Sequence, residues 1–120
     1  MSHISIADHH GVLWAQVGAA LVTPLAKELE TAVLEAATVG HKDVVVLEME
    51  QVPSVDSSGV GALVRLQTAL ATKGKRLILA HPQSAVADEL RLRDLNGFFL
   101  LSWDIRPDMD QETLLVASEG

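Results

Sequence analysis

Apolar residues follow two different spacings along this chain of 120 residues. Short, nearly continuous apolar runs predict β-strands, and longer stretches with an apolar residue at every third or fourth position predict amphipathic α-helices. Strands are predicted at residues 3–7, 12–17, 44–49, 76–80 and 98–103. A helix is expected after each of the last four strands, which gives the order β-β-α-β-α-β-α-β-α.

This order predicts an α/β fold: a single domain over residues 1–120, with a mostly parallel mixed sheet and helices packed on it. The polar residues 8–11 between the first two strands suit a hairpin turn, so the first strand should be antiparallel to the second. The run 44–49 is nearly all apolar. Such a run is typical of a central strand that is covered on both faces.

Capping signals set the expected ends of the first two helices. Thr23-Pro24 predicts an N-cap followed by proline at the first helical position, and Gly40 should end that helix. The second helix is predicted from about Ser57 to Lys73, with Gly74 closing it. Its apolar stripe consists of Val60, Leu63, Leu66 and Leu70.

The last two helices have similar signals. Ser84 is expected to cap the third helix, Val86, Leu90 and Leu92 to face inward, and Asn96-Gly97 to end it. The stretch Asp108–Gln111 predicts a capping box for the closing helix.

Composition narrows the function classes. The net charge is −7 with no basic cluster, and only 3% of residues are aromatic, which argues against a nucleic-acid partner. The chain has no cysteine, which rules out disulfides and thiolate metal sites. No run approaches the roughly 20 apolar residues of a membrane span, and no signal peptide is recognisable. The expectation is a soluble cytoplasmic protein with no direct membrane insertion.

The most informative motif is Asp56-Ser57-Ser58-Gly59-Val60, which lies where the third strand's exit loop meets the second helix. A helix start offers free backbone N–H groups and the positive end of the helix dipole, which suit a phosphate. Phosphorylation there would add about −1.5 to −2 charges at pH 7. We therefore interpret Ser57 as the switch of a binding module, whose partner-binding residues are Asp56, Ser57, Ser58, Gly59 and Val60.

Each of these residues also has a purely structural interpretation. Ser57 is a good N-cap, and Asp56 could be the cap instead, with Ser57 inside the first turn. Ser58 is the alternative phosphate acceptor, although its hydroxyl could simply support the loop. Gly59 and Gly61 each weaken a helix by about 1 kcal/mol relative to alanine, so a close approach of the backbone to the sheet, or to a partner, should compensate for them.

The sequence gives little support to a dinucleotide-binding, hydrolase or metal site. Val64 stands where a dinucleotide-binding loop needs its third glycine, and no glycine precedes the serine pair as in a hydrolase nucleophile elbow. The five histidines lack the helical spacing of metal ligands, so neither a metal nor a cofactor is predicted. Trp14 and Trp103 are expected to pack in or beside the sheet, with interface anchoring as the alternative.

The element order, together with Asp56-Ser57-Ser58-Gly59-Val60-Gly61-Ala62-Leu63, resembles the STAS domain family, and bacterial anti-sigma factor antagonists most closely. The resemblance covers about Ile4 to Leu115. It implies a non-enzymatic regulator in signal transduction and transcription. It also implies that the serine directly after the aspartate, Ser57, is phosphorylated by an anti-sigma factor with a serine-kinase fold.

In such a system the unphosphorylated antagonist binds the anti-sigma factor, phosphorylation at Ser57 releases it, and a PP2C-type phosphatase restores binding. One stretch departs from the family pattern. Many antagonists carry a Gly-x-Leu-Asp element after the second strand, whose acid lies near the phosphorylation site, and here Ala19-Ala20-Leu21-Val22 takes its place. The alternative is therefore a STAS scaffold, or a subunit of a signalling or lipid-transport complex, that is never phosphorylated.

Overall fold

The secondary-structure elements follow one another in the predicted order. The computed structural model describes residues 3–119. The strands are β1 (Ile4–His9), β2 (Val12–Val17), β3 (Val44–Glu48), β4 (Arg76–Ala80) and β5 (Leu100–Ser102). The helices are α1 (Leu25–Val39), α2 (Ser57–Thr72), α3 (Ser84–Leu92) and α4 (Gln111–Glu119).

The strands form one mixed sheet in the order β1-β2-β3-β4-β5. Strand β1 runs antiparallel to β2, and β2 to β5 are parallel to their neighbours. The hairpin between β1 and β2 turns at His10 and Gly11, with φ values of 56° and 80°. Positive φ values at both central residues are typical of a two-residue type I′ turn, whose backbone twist matches that of the two antiparallel strands. The predicted α/β fold with a mostly parallel mixed sheet is confirmed.

Both faces of the sheet are covered, as the apolar run of β3 predicts. Val45 and Leu47 belong to the larger core, under α1, α2 and α3, whereas Val44 and Val46 belong to a smaller core under α4. Alternate residues of a strand point to opposite faces, so a strand buried on both sides must be apolar throughout. The predicted inward stripe of α2 is also confirmed, since its four residues are at most 5% exposed. Within residues 3–119, no helix is long and apolar enough to cross a membrane.

Several predicted boundaries are wrong. Helix α1 has Pro24, not Thr23, at its N-cap, with no side-chain cap. Gln83 precedes α3, so Ser84 is its first residue and not its cap. Helix α3 ends at Leu92, well before Asn96, and the side chain of Leu92 is 74% exposed instead of facing the core.

In the C-terminal part, the length of the last strand, the cap of the last helix and the position of Trp103 differ from the prediction. Strand β5 has three residues, because only Leu100–Ser102 pairs with β4. In the next loop Asp110, not Asp108, accepts a hydrogen bond from the Thr113 N–H at 2.8 Å, the bond of an N-cap. Of the two tryptophans, Trp14 is buried as predicted, but Trp103 lies just beyond the strand and is 55% exposed.

Candidate functional site

The candidate site lies at the carboxyl end of β3, where residues 49–56 lead into α2. This loop is fixed to the segment that follows β2. The Leu21 N–H donates to the Ser54 carbonyl at 3.0 Å, and Leu21 forms an isolated parallel bridge with Val55. The start of α2 is therefore positioned by two adjacent strand ends, as is usual for sites in parallel sheets.

Asp56 is the N-cap of α2. Its backbone is extended, and its Oδ1 accepts hydrogen bonds from the Gly59 N–H at 2.9 Å and from the Ser58 hydroxyl at 2.6 Å. A capping side chain satisfies one of the four N–H groups that a helix start leaves unpaired. Of the two cap assignments open from the sequence, Asp56 is correct and Ser57 is wrong.

The two serines differ in their environment. Ser57 is the first residue of α2 and is exposed, and within residues 3–119 its hydroxyl has no hydrogen-bond partner. Ser58 is half-buried and its hydroxyl is held by Asp56. An enzyme can therefore reach the Ser57 hydroxyl without breaking the cap, whereas modifying Ser58 requires breaking its bond to Asp56.

Gly59 is the point at which α2 meets the β2–α1 segment. A Cβ atom on Gly59 would lie 2.1 Å from the Leu21 carbonyl oxygen and 3.3 Å from the Val55 Cβ. No side chain fits there, so the close backbone approach expected from the sequence is present at Gly59. Gly61 is different, because the atoms nearest to a Cβ there belong to the Arg65 guanidinium, a flexible side chain, with the closest at 3.2 Å.

A groove of about 340 Å³ runs beside the site, between the N-terminal halves of α1 and α2. Lys27, Glu30, Ser58 and Arg65 contribute to its lining. The Arg65 Nε donates to the Glu30 Oε1 at 2.8 Å. Sequence reasoning missed this groove, since its charged residues come from two helices whose packing no local pattern reveals.

Val22, which stands where the resemblance leads us to expect an acid, lies close to the start of α2. It is half-buried and directly follows Leu21, whose carbonyl faces Gly59. The position is therefore next to the candidate site, but its side chain brings no charge.

The Asp56 carboxylate has a lowered pKa, chiefly because the Ser58 hydroxyl and then the Gly59 N–H donate to its charged form. A carboxyl whose folded-state pKa lies below the usual value of 3.8 stabilises the fold above that pH. This contribution is lost as the pH falls through the folded-state pKa.

We therefore expect the Asp56→Asn variant to lose less stability on acidification than the wild type. Asparagine caps a helix about as well as aspartate, but it does not titrate. The measurement is the urea midpoint at pH 6 and at pH 3. The control is Asp104→Asn, which removes the same charge from an exposed position outside the site. If both variants lost the same amount of stability between pH 6 and pH 3, a specific contribution from the cap would be contradicted.

The histidines make no metal site in the part of the chain that the structure describes, because no group of three or more potential ligands occurs there. His81 is half-buried, and its Nδ1 lies 2.8 Å from the Glu48 Oε2. This contact joins the ends of β3 and β4. The sequence analysis considered the histidines only as metal ligands, so the pairing of His81 with Glu48 was missed.

Solved structures with this fold include anti-sigma factor antagonists. One from Mycobacterium paratuberculosis is 20% identical, with a TM-score of 0.74 over 98% of this chain and 93% of the other. A variant of RsbS from Moorella thermoacetica is 16% identical, with a TM-score of 0.79 over 96% and 98%. The unphosphorylated form of SpoIIAA, a Bacillus protein, is 17% identical, with a TM-score of 0.71 over 84% and 89%. At such identities the likeness concerns the fold.

No curated protein matches the sequence. The model of the STAS domain family, however, matches residues 3–111. This match includes the whole sheet and the first three helices, with the Asp56–Val60 motif at the start of α2. The chain belongs to the STAS domain family.

Proposed function

We propose that this protein is a non-enzymatic anti-sigma factor antagonist that is switched by phosphorylation at Ser57. Its unphosphorylated form binds an anti-sigma factor of the serine-kinase type through Asp56, Ser57, Ser58 and the exposed side of α2. Gly59 and Val60, which the sequence also assigned to the binding surface, are buried, so they support this surface without touching the partner. The observation that supports this proposal best is the state of Ser57: exposed, first in α2 and not used by the cap. The fold that the chain shares with anti-sigma factor antagonists supports it further.

The switch is an effect of charge. A neutral hydroxyl can be buried against a partner at small cost if it is hydrogen-bonded there. A phosphate adds about −1.5 to −2 charges and cannot be desolvated cheaply unless the partner supplies cations. The neighbouring Asp56 carboxylate adds to the negative charge at this surface. Phosphorylation of Ser57 thus converts a binding surface into a repelling one.

The two serines are unequal as acceptors. A phosphate on Ser57 leaves both bonds to the Asp56 carboxylate in place, so α2 keeps its cap. A phosphate on Ser58 would replace a hydroxyl that now donates to Asp56 at 2.6 Å, and it would set two anions against each other. Ser57 is therefore the proposed site, and its exposure also admits a PP2C-type phosphatase that reverses the modification.

A second candidate function is a scaffold or complex subunit that is never phosphorylated. Val22 favours it, since the acid that the resemblance leads us to expect beside the phosphorylation site is missing. Such a subunit would bind its partner tightly and without sensitivity to ATP, and incubation with a kinase would leave its mass unchanged.

Intact mass and peptide mapping of the protein from its native cell decide between the two functions. We expect a single phosphate on the peptide that contains Ser57, removable by phosphatase and absent from a Ser57→Ala strain. A protein that stays unmodified under every growth condition would favour the scaffold, and a phosphate on Ser58 would correct the assigned site.

A further inference from the structure

Arg65 lies beside the start of α2, and not all of its N–H groups are used in hydrogen bonds. Its Nε donates to Glu30, whereas the two terminal nitrogens have no acceptor among residues 3–119. The Arg65 side chain is 60% exposed. It is oriented by Glu30, since a planar guanidinium bonded through Nε projects its remaining N–H groups in fixed directions.

Those terminal nitrogens lie over Gly61. A Cβ atom on Gly61 would be 3.2 Å from the Arg65 Nη1 and 3.8 Å from the Nη2. Side chains in a helix lean towards its N-terminus, so Arg65 reaches back by one turn. Because Gly61 has no side chain, the guanidinium occupies the space that this residue would otherwise fill.

Ser57, Gly61 and Arg65 form one row on the surface of α2. Side chains four residues apart on a helix have Cβ atoms about 5–6 Å apart, so the Arg65 guanidinium lies one turn from the Ser57 side chain. A phosphoryl group extends the Ser57 side chain by two further bonds. Gly61, the residue between them in this row, has no side chain.

We propose that Arg65, positioned by Glu30, binds the phosphate on Ser57 within the same molecule. This proposal rests on the function proposed above and adds what the phosphate does after transfer. The Nη groups of Arg65 donate to two phosphate oxygens, while the Nε keeps its bond to Glu30. Arginine suits this role because its fork of N–H groups matches phosphate geometry, and such charge-assisted bonds are about twice as strong as neutral ones.

The bound phosphate has two consequences for the switch. Arg65 holds the phosphate in a fixed position along the exposed side of α2. The partner therefore meets an ordered negative charge on the surface that it would bind. The phosphate also occupies Arg65, which in the unphosphorylated protein is available to an acidic group of the partner.

The test uses full-length protein with phosphoserine incorporated at position 57 during translation, so that it needs no kinase. Phosphorus NMR follows the second ionisation of the phosphate as the pH is raised. A cation in contact favours the dianion, so we expect the phosphate pKa in the wild type to be lower than in Arg65→Gln by about half a unit or more. Arg65→Lys should recover only part of this difference, since lysine keeps the charge but lacks the fork.

Arg91→Gln is the matched control. Arg91 is 63% exposed and pairs with Asp88 at 3.2 Å on α3, close to the end of that helix. Helices α2 and α3 both follow parallel strands, so the last turn of α3 lies at the opposite end of the sheet from Ser57. The control should leave the phosphate pKa as in the wild type.

Equal phosphate pKa values in Arg65→Gln and Arg91→Gln would overturn the proposal. This result is separate from a failure of the proposed function. A native protein without phosphate on Ser57 would remove the switch, whereas the NMR titration reports on Arg65 in either case.

Discussion

Replacing Ser57 with aspartate is expected to weaken binding to the kinase-type anti-sigma factor by about thirtyfold or more, while Ser57→Ala keeps the binding form permanently. Burying an unpaired carboxylate at an interface costs at least about 2 kcal/mol, which is about thirtyfold in Kd. The exposed Ser57 side chain adds no bond to the fold that alanine would lose. Titration calorimetry of the three proteins with the purified partner measures both effects.

Ser84→Asp is the matched control for this experiment. Ser84 is also exposed and is also the first residue of a helix, so the substitution adds the same charge in the same local setting. It should bind like the wild type, because α3 lies outside the proposed face. Equal affinity for wild type and Ser57→Asp would contradict the switch, and an equal loss in both aspartate variants would show a general charge effect.

The fold could be predicted wherever the hydrophobic pattern was unambiguous. Strand β4 and the inward stripe of α2 were predicted correctly, because an apolar run and a 3–4 spacing each left a single interpretation. One error lies where two residues of the same type compete for one role. Asp108 and Asp110 both suit an N-cap, and only the path of the backbone decides that Asp110 accepts the Thr113 N–H.

The candidate site shows the same limit. The sequence located the motif at the start of α2, but aspartate and serine are nearly equal as caps, so the roles of Asp56 and Ser57 stayed open. The groove formed by Lys27, Glu30 and Arg65 could not be predicted at all. It depends on α1 lying against α2, and residues 27–30 carry no sign of the helix that they face.

The largest effect on stability is expected from Gly59→Ala, which should lower the free energy of unfolding by about 2 kcal/mol or more. The new Cβ atom would lie 2.1 Å from the Leu21 carbonyl oxygen and 3.1 Å from its carbonyl carbon, and backbone cannot yield as a flexible side chain does. Overpacking of this kind costs about 1–3 kcal/mol or more. With a typical urea dependence of about 2 kcal/mol per molar, the midpoint should fall by about 1 M.

Gly61→Ala, one half-turn along the same helix, should raise the free energy of unfolding instead of lowering it. The three atoms nearest to its Cβ all belong to the Arg65 guanidinium, with Nη1 closest at 3.2 Å, and that exposed side chain can move aside. Alanine is better than glycine inside a helix by about 1 kcal/mol, so the variant should gain up to that amount. If both variants gained stability, α2 would not be pressed against Leu21. The anchoring of the loop before Ser57 by the β2–α1 segment would then be wrong as well.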